Sequence, residues 1–398
     1  MMESGMKMTQ WLAAGAMLSG GFMVAQEAAD SETVAAPKQE WIHSRGDISM
    51  TGRSPVSIQS PLKLAWQMSL MEKPKGSNEM LVSGAIVRDD RIYVGTKDGF
   101  FHCLELETGK EIWKAEALGA FDGAAAFVED LVVAGCQDGF VYAWKAVDGK
   151  EVWKFESDAE IHAAANVWQN PDTGAWKVLI GSYDYQVYCL DAKTGKKDWA
   201  AETGYYINGG AAISEGKVVF GGCDSVLHVH DLKNGEEVRQ IDVGSYIGNN
   251  VSIADGVIYV SHYGNLVQAF SMEDGMEIWQ FGERAFEYFA APAIASKVIL
   301  VGGRDKRFHC LDRVTGEQAW EFRARDRIDS SAVVCNDETV IFGSDDGYLY
   351  QLAVADGKEL WSYEIGAPVK APPAVAGKWV IVGADDGSLY AFCPAGEE

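Results

Sequence analysis

One tryptophan returns about every forty residues, always closing the same short phrase: EIW at Trp113, EVW at Trp153, KDW at Trp199, EIW at Trp279, QAW at Trp320 and ELW at Trp361. The step is 40 residues from Trp113 to Trp153, 41 from Trp279 to Trp320 and 41 from Trp320 to Trp361. A period of this size means one supersecondary unit copied along the chain, and it decides the architecture before any single residue does.

Each copy reads alike. An apolar run ends in Gly, as at Gly95, Gly135 and Gly343, and Asp-Gly or a relative follows, as at Asp98-Gly99, Asp138-Gly139, Asp346-Gly347 and Asp386-Gly387. An alternating run comes next, then Thr-Gly or Asp-Gly at Gly109, Gly149, Gly195, Gly235, Gly275, Gly316 and Gly357, then the strand carrying Trp. Such dipeptides between β-branched and aromatic runs are hairpin signals, because Gly supplies the positive φ of a tight turn. With one inner apolar run ahead of it, each unit is four short antiparallel strands. A sheet of that size buries both faces only by radial stacking, which predicts an all-β, eight-bladed β-propeller. The eighth unit stops after its third strand, SLYAF at 388–392, and PLKLAW (Pro61–Trp66) ends in the same Trp. That N-terminal strand is expected to complete the last blade and close the ring, removing exposed sheet edges.

Three copies depart from the pattern. Arg239 stands where Trp is expected, Gly264 replaces the turn Asp, and WQNPDTGAWK (168–177) lengthens the third unit into a protruding hairpin. Arg239 and Gly264 read as neutral drift or as an adapted surface on two adjacent blades. The turn aspartates Asp98, Asp138, Asp184, Asp224, Asp305, Asp346 and Asp386 read as acceptors of backbone N–H bonds rather than as a carboxylate ring.

Roughly 330 of the 398 residues belong to the repeats, which suits one large propeller over 61–398. The net charge of −24 argues against nucleic acid, which demands basic stripes, and against broad adhesion to anionic lipid. Residues 1–25 have the shape of a signal peptide too short to span a bilayer, and 26–60 form a linker and lead-in. An exported or periplasmic, monomeric ring without a transmembrane segment is expected. The seven cysteines include no CxxC pair. Cys103, Cys189 and Cys310 share one repeat position, so they read as small buried side chains, and no essential disulfide is expected.

The segments AWKAVDGKEVW (143–153) and CLDAKTGKKDW (189–199) match the Trp-docking pattern of PQQ-like propeller repeats. The resemblance covers about residues 60–398 and includes Trp66, Trp113, Trp153, Trp199, Trp279, Trp320 and Trp361. It implies that each Trp packs over a small residue and turn Gly of the next blade. With WIHSRGD (41–47) and TGRS (51–54) as lead-in, the chain is similar to the outer-membrane protein assembly factor BamB family of periplasmic scaffolds. Members of that family are usually lipoproteins. The first cysteine here is Cys103, so no lipid anchor is expected.

The resemblance also implies a competing function, because PQQ-dependent dehydrogenases share the repeats. They use a vicinal Cys-Cys pair, a calcium site and a catalytic Asp, with PQQ over the central channel. No Cys-Cys pair occurs here. The channel-mouth position ahead of each inner strand is occupied by Val82, Asp122, His162, Asn208, Gly248, Phe289, Asp329 and Lys370. Asp122, Asn208 and Asp329 are oxygen ligands in type, but calcium takes six to eight oxygens. Lys370 could face PQQ carboxylates. The plain alternative is a solvated channel rim. His228 and His230 form an HxH pair on one strand face, metal-capable in principle, against a plain reading as a half-exposed strand pair. The expected function is a non-catalytic scaffold binding envelope proteins, without cofactor. The alternatives are a quinoprotein dehydrogenase using PQQ with calcium, and a small-ligand or sugar-binding propeller.

Overall fold

The computed structural model describes residues 40–71 and 83–396. The expected signal peptide at 1–25, the linker at 26–39 and the mouth residue Val82 lie outside them.

The described residues form eight antiparallel four-stranded blades, and the two-residue strand Arg53–Ser54 adds in parallel to the inner edge of the seventh. Blade 1 runs outward from Ile86–Arg88 through Arg91–Gly95 and Phe100–Glu105 to Glu111–Glu116. Blades 2 to 7 repeat that order, starting at Ala126–Val128, Asn166–Gln169, Ala212–Ser214, Ser252–Ala254, Ala293–Ile294 and Val333–Cys335. Blade 8 takes Ala374–Ala376, Trp379–Gly383 and Ser388–Pro394 from the C-terminal end and Leu62–Ser69 from the N-terminal side. In that clasp Leu62 pairs with Pro394 and Ser69 with Ser388, so the ring closes as the period predicts.

The strand patterns follow from stacking. Second and third strands are buried on both faces because a neighbouring blade covers each, whereas outer strands alternate exposed and part-buried residues. The core is therefore a series of clusters between blades. One joins Val133 and Val141 of blade 2 to Val178 and Ile180 of blade 3; another joins Phe308 of blade 6 to Phe342 of blade 7, stacked at 4.0 Å. The glycine ending the second strand is required by close approach. A Cβ at Gly135 would sit 2.2 Å from Ile161, the apolar residue of the loop entering the next blade.

Six repeat tryptophans (Trp66, Trp113, Trp153, Trp199, Trp279 and Trp320) lay their rings over the turn glycine of the next blade, as Trp153 covers Gly195. The buried Trp199 indole nitrogen has no partner, whereas the Trp153 indole N–H also donates to Ala192 O of the next blade. Trp66, Trp113, Trp279 and Trp320 repeat this bond at 2.9–3.0 Å. Arg239 is not an exception in function. Its stem covers Gly275, and its guanidinium donates to Asp274 O (2.8 Å) and Glu273 O (2.7 Å) of blade 5. Beside Gly264, the hairpin is held by His262, whose Nδ1 accepts the Gly264 N–H at 3.0 Å.

The lead-in is part of the ring. Residues 41–54 circle the inner ends of the blades in chain order, and their carbonyls accept N–H groups from successive innermost strands. Val87 donates to Trp41, Phe127 to Ile42, Ile213 to Ile48, Ile253 to Ser49, Ile294 to Thr51 and Val334 to Gly52. At blade 3 the Asn166 side chain donates to Ile48 O at 2.8 Å. Apart from blade 7, whose innermost strand pairs in parallel with Arg53–Ser54, those inner edges have no further strand to pair with, and buried backbone donors need partners.

Candidate functional site

The loops entering the innermost strands carry Asp122, His162, Asn208, Gly248, Phe289, Asp329 and Lys370, and all seven line one cavity of about 330 Å³ at the channel mouth. The ring brings these seven residues, far apart in sequence, together. Ser44 and Arg45 of the lead-in form part of the same lining. Arg45 is 1% exposed and donates to Ala332 O at 3.0 Å and Pro292 O at 2.9 Å, which ties the thread to blades 6 and 7. Burial pulls its guanidinium down to about 10, still charged at neutral pH.

A second set of positions recurs beside the first, the residue just before each turn Asp or its Gly264 replacement: Lys97, Gln137, Tyr183, Cys223, Tyr263, Arg304, Asp345 and Asp385. They are not singled out from the sequence above, although they recur at one repeat position just as the mouth residues do. Gln137 donates to Asp122, and Tyr183 stacks on His162 at 4.2 Å and donates to Asn208. Asn208 Nδ2 lies 3.0 Å from Cys223 Sγ. Tyr263 meets Phe289 edge-on at 5.9 Å, and the Arg304 guanidinium lies 5.0 Å from the Phe289 ring centroid. Arg304 also grips Asp329 with two bonds of 2.9 and 3.0 Å, Arg327 pairs with Asp345, and Lys370 pairs with Asp385.

His162 links the acidic side of the mouth. Its Nδ1 lies 3.0 Å from Asp122 and its Nε2 2.9 Å from Glu160. Burial opposes its charge, but the two carboxylates outweigh burial and raise its pKa above the ordinary imidazole value.

These contacts bear on the calcium centre that dehydrogenase kinship implies. Both Asp329 oxygens accept from Arg304, Asn208 Oδ1 accepts from Tyr183, and Asp122 Oδ2 accepts from Gln137. Only Asp122 Oδ1 among these oxygens is buried without a partner. A donor set with one uncommitted oxygen does not fit an ion that takes six to eight. The seven cysteines are free thiols. Burial raises Cys103, Cys136, Cys189, Cys310 and Cys335 to about 12, which keeps them protonated and unreactive.

The face around the mouth carries exposed apolar and aromatic side chains. Leu118 (97% exposed), Tyr205, Tyr246 and Phe286 sit on loops between blades, and Tyr263 on a hairpin of the same face. Tyr206 and Tyr183 continue the stack inward, with centroids 4.6 Å apart. Next to this arc, Arg284, Arg304, Arg325 and Arg327 cluster on blades 6 and 7, interleaved with the carboxylates Asp305, Asp329 and Asp345 that pair with three of them.

An eight-bladed ring with Trp docking between blades and a side-chain-lined channel mouth defines a propeller of the PQQ-like repeat class. The family described as "Outer membrane protein assembly factor BamB" matches this chain over residues 63–161, 117–251, 185–307, 264–364 and 304–395. The chain belongs to that family. No curated protein matches it in sequence. Among solved structures, BamB from Moraxella catarrhalis is 17% identical with a TM-score of 0.69, covering 85% of this chain and 99% of that one. Quinohemoprotein alcohol dehydrogenase from Comamonas testosteroni is 15% identical with a TM-score of 0.73, covering 90% and 81%. A europium-containing methanol dehydrogenase is 14% identical with a TM-score of 0.71, covering 89% and 98%. At these identities the likenesses establish the fold, which binding proteins and enzymes share. No helix among the described residues is long and apolar enough to cross a membrane.

Proposed function

We propose that this chain is a non-catalytic propeller of the cell envelope, a rigid platform for protein partners in outer-membrane protein assembly. The observation that carries this reading is the bonded network at the mouth. Its charged and polar groups bind one another across and within blades, so the mouth reads as a braced frame rather than a reaction centre. The family supplies the envelope setting and the assembly role. The exposed aromatic arc beside an arginine sector supplies the docking chemistry, because Tyr and Arg are the side chains that dominate protein interfaces. PQQ and calcium have no part in this reading.

Two measurements test it. Photo-crosslinking residues placed at Tyr246 and Phe286 are expected to trap discrete envelope partners, while the same group at Val147 and Val314 on the opposite face traps none. PQQ with calcium is expected to give neither a thermal shift nor dye-linked dehydrogenase activity. A positive result for both would overturn the proposal in favour of the quinoprotein reading.

A further inference from the structure

Blade 4 holds a pair of histidines that the repeat does not explain. The third strand of every blade carries a polar ring or amide at one register position: His102, Tyr142, Tyr188, His228, Gln268, His309, Tyr350 and Tyr390. Two residues later the position is apolar in the other seven copies: Leu104, Trp144, Leu190, Phe270, Leu311, Leu352 and Phe392. In blade 4 it is His230. Both His228 and His230 are 3% exposed, so they are not the half-exposed pair that the alternation suggests. Burying a second imidazole at a core position costs stability unless its nitrogens find partners.

One nitrogen of each ring does. His228 Nε2 lies 2.8 Å from Asp224 Oδ2, and His230 Nδ1 lies 2.9 Å from Gly235 O. A carboxylate and a carbonyl only accept, so each bond places the proton on that nitrogen and leaves a lone pair on the other. Those other nitrogens, His228 Nδ1 and His230 Nε2, are buried and have no hydrogen-bond partner. Phe220 stacks on both rings, at 5.5 and 5.2 Å, and fixes their planes. The third member is Glu237, which pairs with His230 across the neighbouring outer strand. One ligating atom from each of His228, His230 and Glu237 lies within 4.8 Å of the others. Gln240 Nε2 donates to Glu237 Oε2 at 2.8 Å, orienting the carboxylate from outside.

We infer that His228, His230 and Glu237 form a binding site for a borderline divalent transition metal, with Zn²⁺ as the reference ion. Two imidazoles and one carboxylate are a donor set that zinc accepts, with water in the fourth position. Acceptors behind both histidines, Asp224 and Gly235 O, already set their tautomers, as ligating histidines require. A tetrahedral ion with bonds of about 2.0–2.1 Å holds its ligand atoms about 3.4 Å apart, so the three side chains draw together on binding, the exposed Glu237 being the one with most room to move. Glu237 also provides the entry path, because it lies at the outer rim of the blade. The site is separate from the channel mouth, so it stands or falls apart from the scaffold reading.

The test uses the full chain stripped with a chelator and titrated with Zn²⁺ by calorimetry and thermal shift, and with Co²⁺ by visible absorption. One equivalent is expected to bind, raising the melting temperature, with the cobalt spectrum of a four-coordinate ion. His230→Leu restores the residue of four sister copies and is expected to fold and to lose the equivalent. Glu237→Gln, on the surface, lowers affinity more than about tenfold, and Asp224→Asn lowers it about ten- to a hundredfold through the second shell. Failure of the unmodified chain to bind, or binding that persists undiminished in both His230→Leu and Glu237→Gln, overturns the assignment. The second outcome would trace the metal to the acidic surface instead. A six-coordinate cobalt spectrum would overturn the tetrahedral geometry.

Discussion

Arg239 shows how a repeat keeps a contact while changing the residue that makes it. Tryptophan docks by covering a turn glycine and donating one hydrogen bond; Arg239 covers Gly275 with its stem and donates two. Arg239→Ala is expected to lower stability by about 1–2 kcal/mol, from lost charge-assisted bonds and lost cover, whereas Arg239→Trp stays close to the parent. Chemical-denaturation midpoints decide it, and an alanine variant as stable as the parent would return Arg239 to neutral drift. At this scale the sequence was legible wherever a residue acts on its own hairpin. The turn aspartates accept local N–H groups as expected; Asp138 takes the Phe140 amide at 3.1 Å. Their second bond, Tyr142 to Asp138 at 2.7 Å, follows from strand register, as does the third ligand-type residue beside His230. Cross-strand partners are set by a bulge in that pairing, and no local pattern reveals a bulge.

At the scale of elements, the clasp and the lead-in had different visibility. The clasp was legible because Leu62–Ser69 carries the repeat's own Trp and the eighth copy lacks an outer strand. The lead-in was legible as a motif and not as a structure. It binds through its backbone carbonyls to amides 46 to 282 residues away, from Trp41–Val87 to Gly52–Val334, and backbone bonding leaves no side-chain signature. A chain beginning at residue 70 would lose both elements. It is expected to self-associate, because the Ser388–Pro394 strand then presents an unpaired edge and the innermost strands lose their acceptors. Light scattering of such a chain measures this, and a stable monomer with the parent's thermal midpoint would contradict it.

For the whole molecule, the mouth was legible as a ring of positions but not as a bonded network, because pairs such as His162–Asp122 join residues 40 apart on adjacent blades. Buried titratable groups also make the ring's stability depend on pH. Burial lowers the pKa values of His43, His102, His230 and His262 below the ordinary 6.5. Each therefore contributes stability above that value that is lost as pH falls through its folded pKa, since the unfolded chain takes up the proton first. His162 has the opposite sign: its raised pKa contributes fully below 6.5 and the contribution is lost as pH rises through the folded value. Four groups oppose one, so the urea midpoint is expected to fall between about pH 7.5 and about pH 5.5, and to fall more steeply in His162→Asn. A flat profile would refute this balance. The thread at 41–54 has a consequence for how the ring is made. Its first seat is on blade 1 and its last on blade 7, where the Asn336 amide reaches Ser54, so the stretch that leaves the ribosome early is the last to be fully housed. Its fixed length then acts as a gauge: a ring assembled with one blade too few or too many would leave its carbonyls out of step with the amides that complete them.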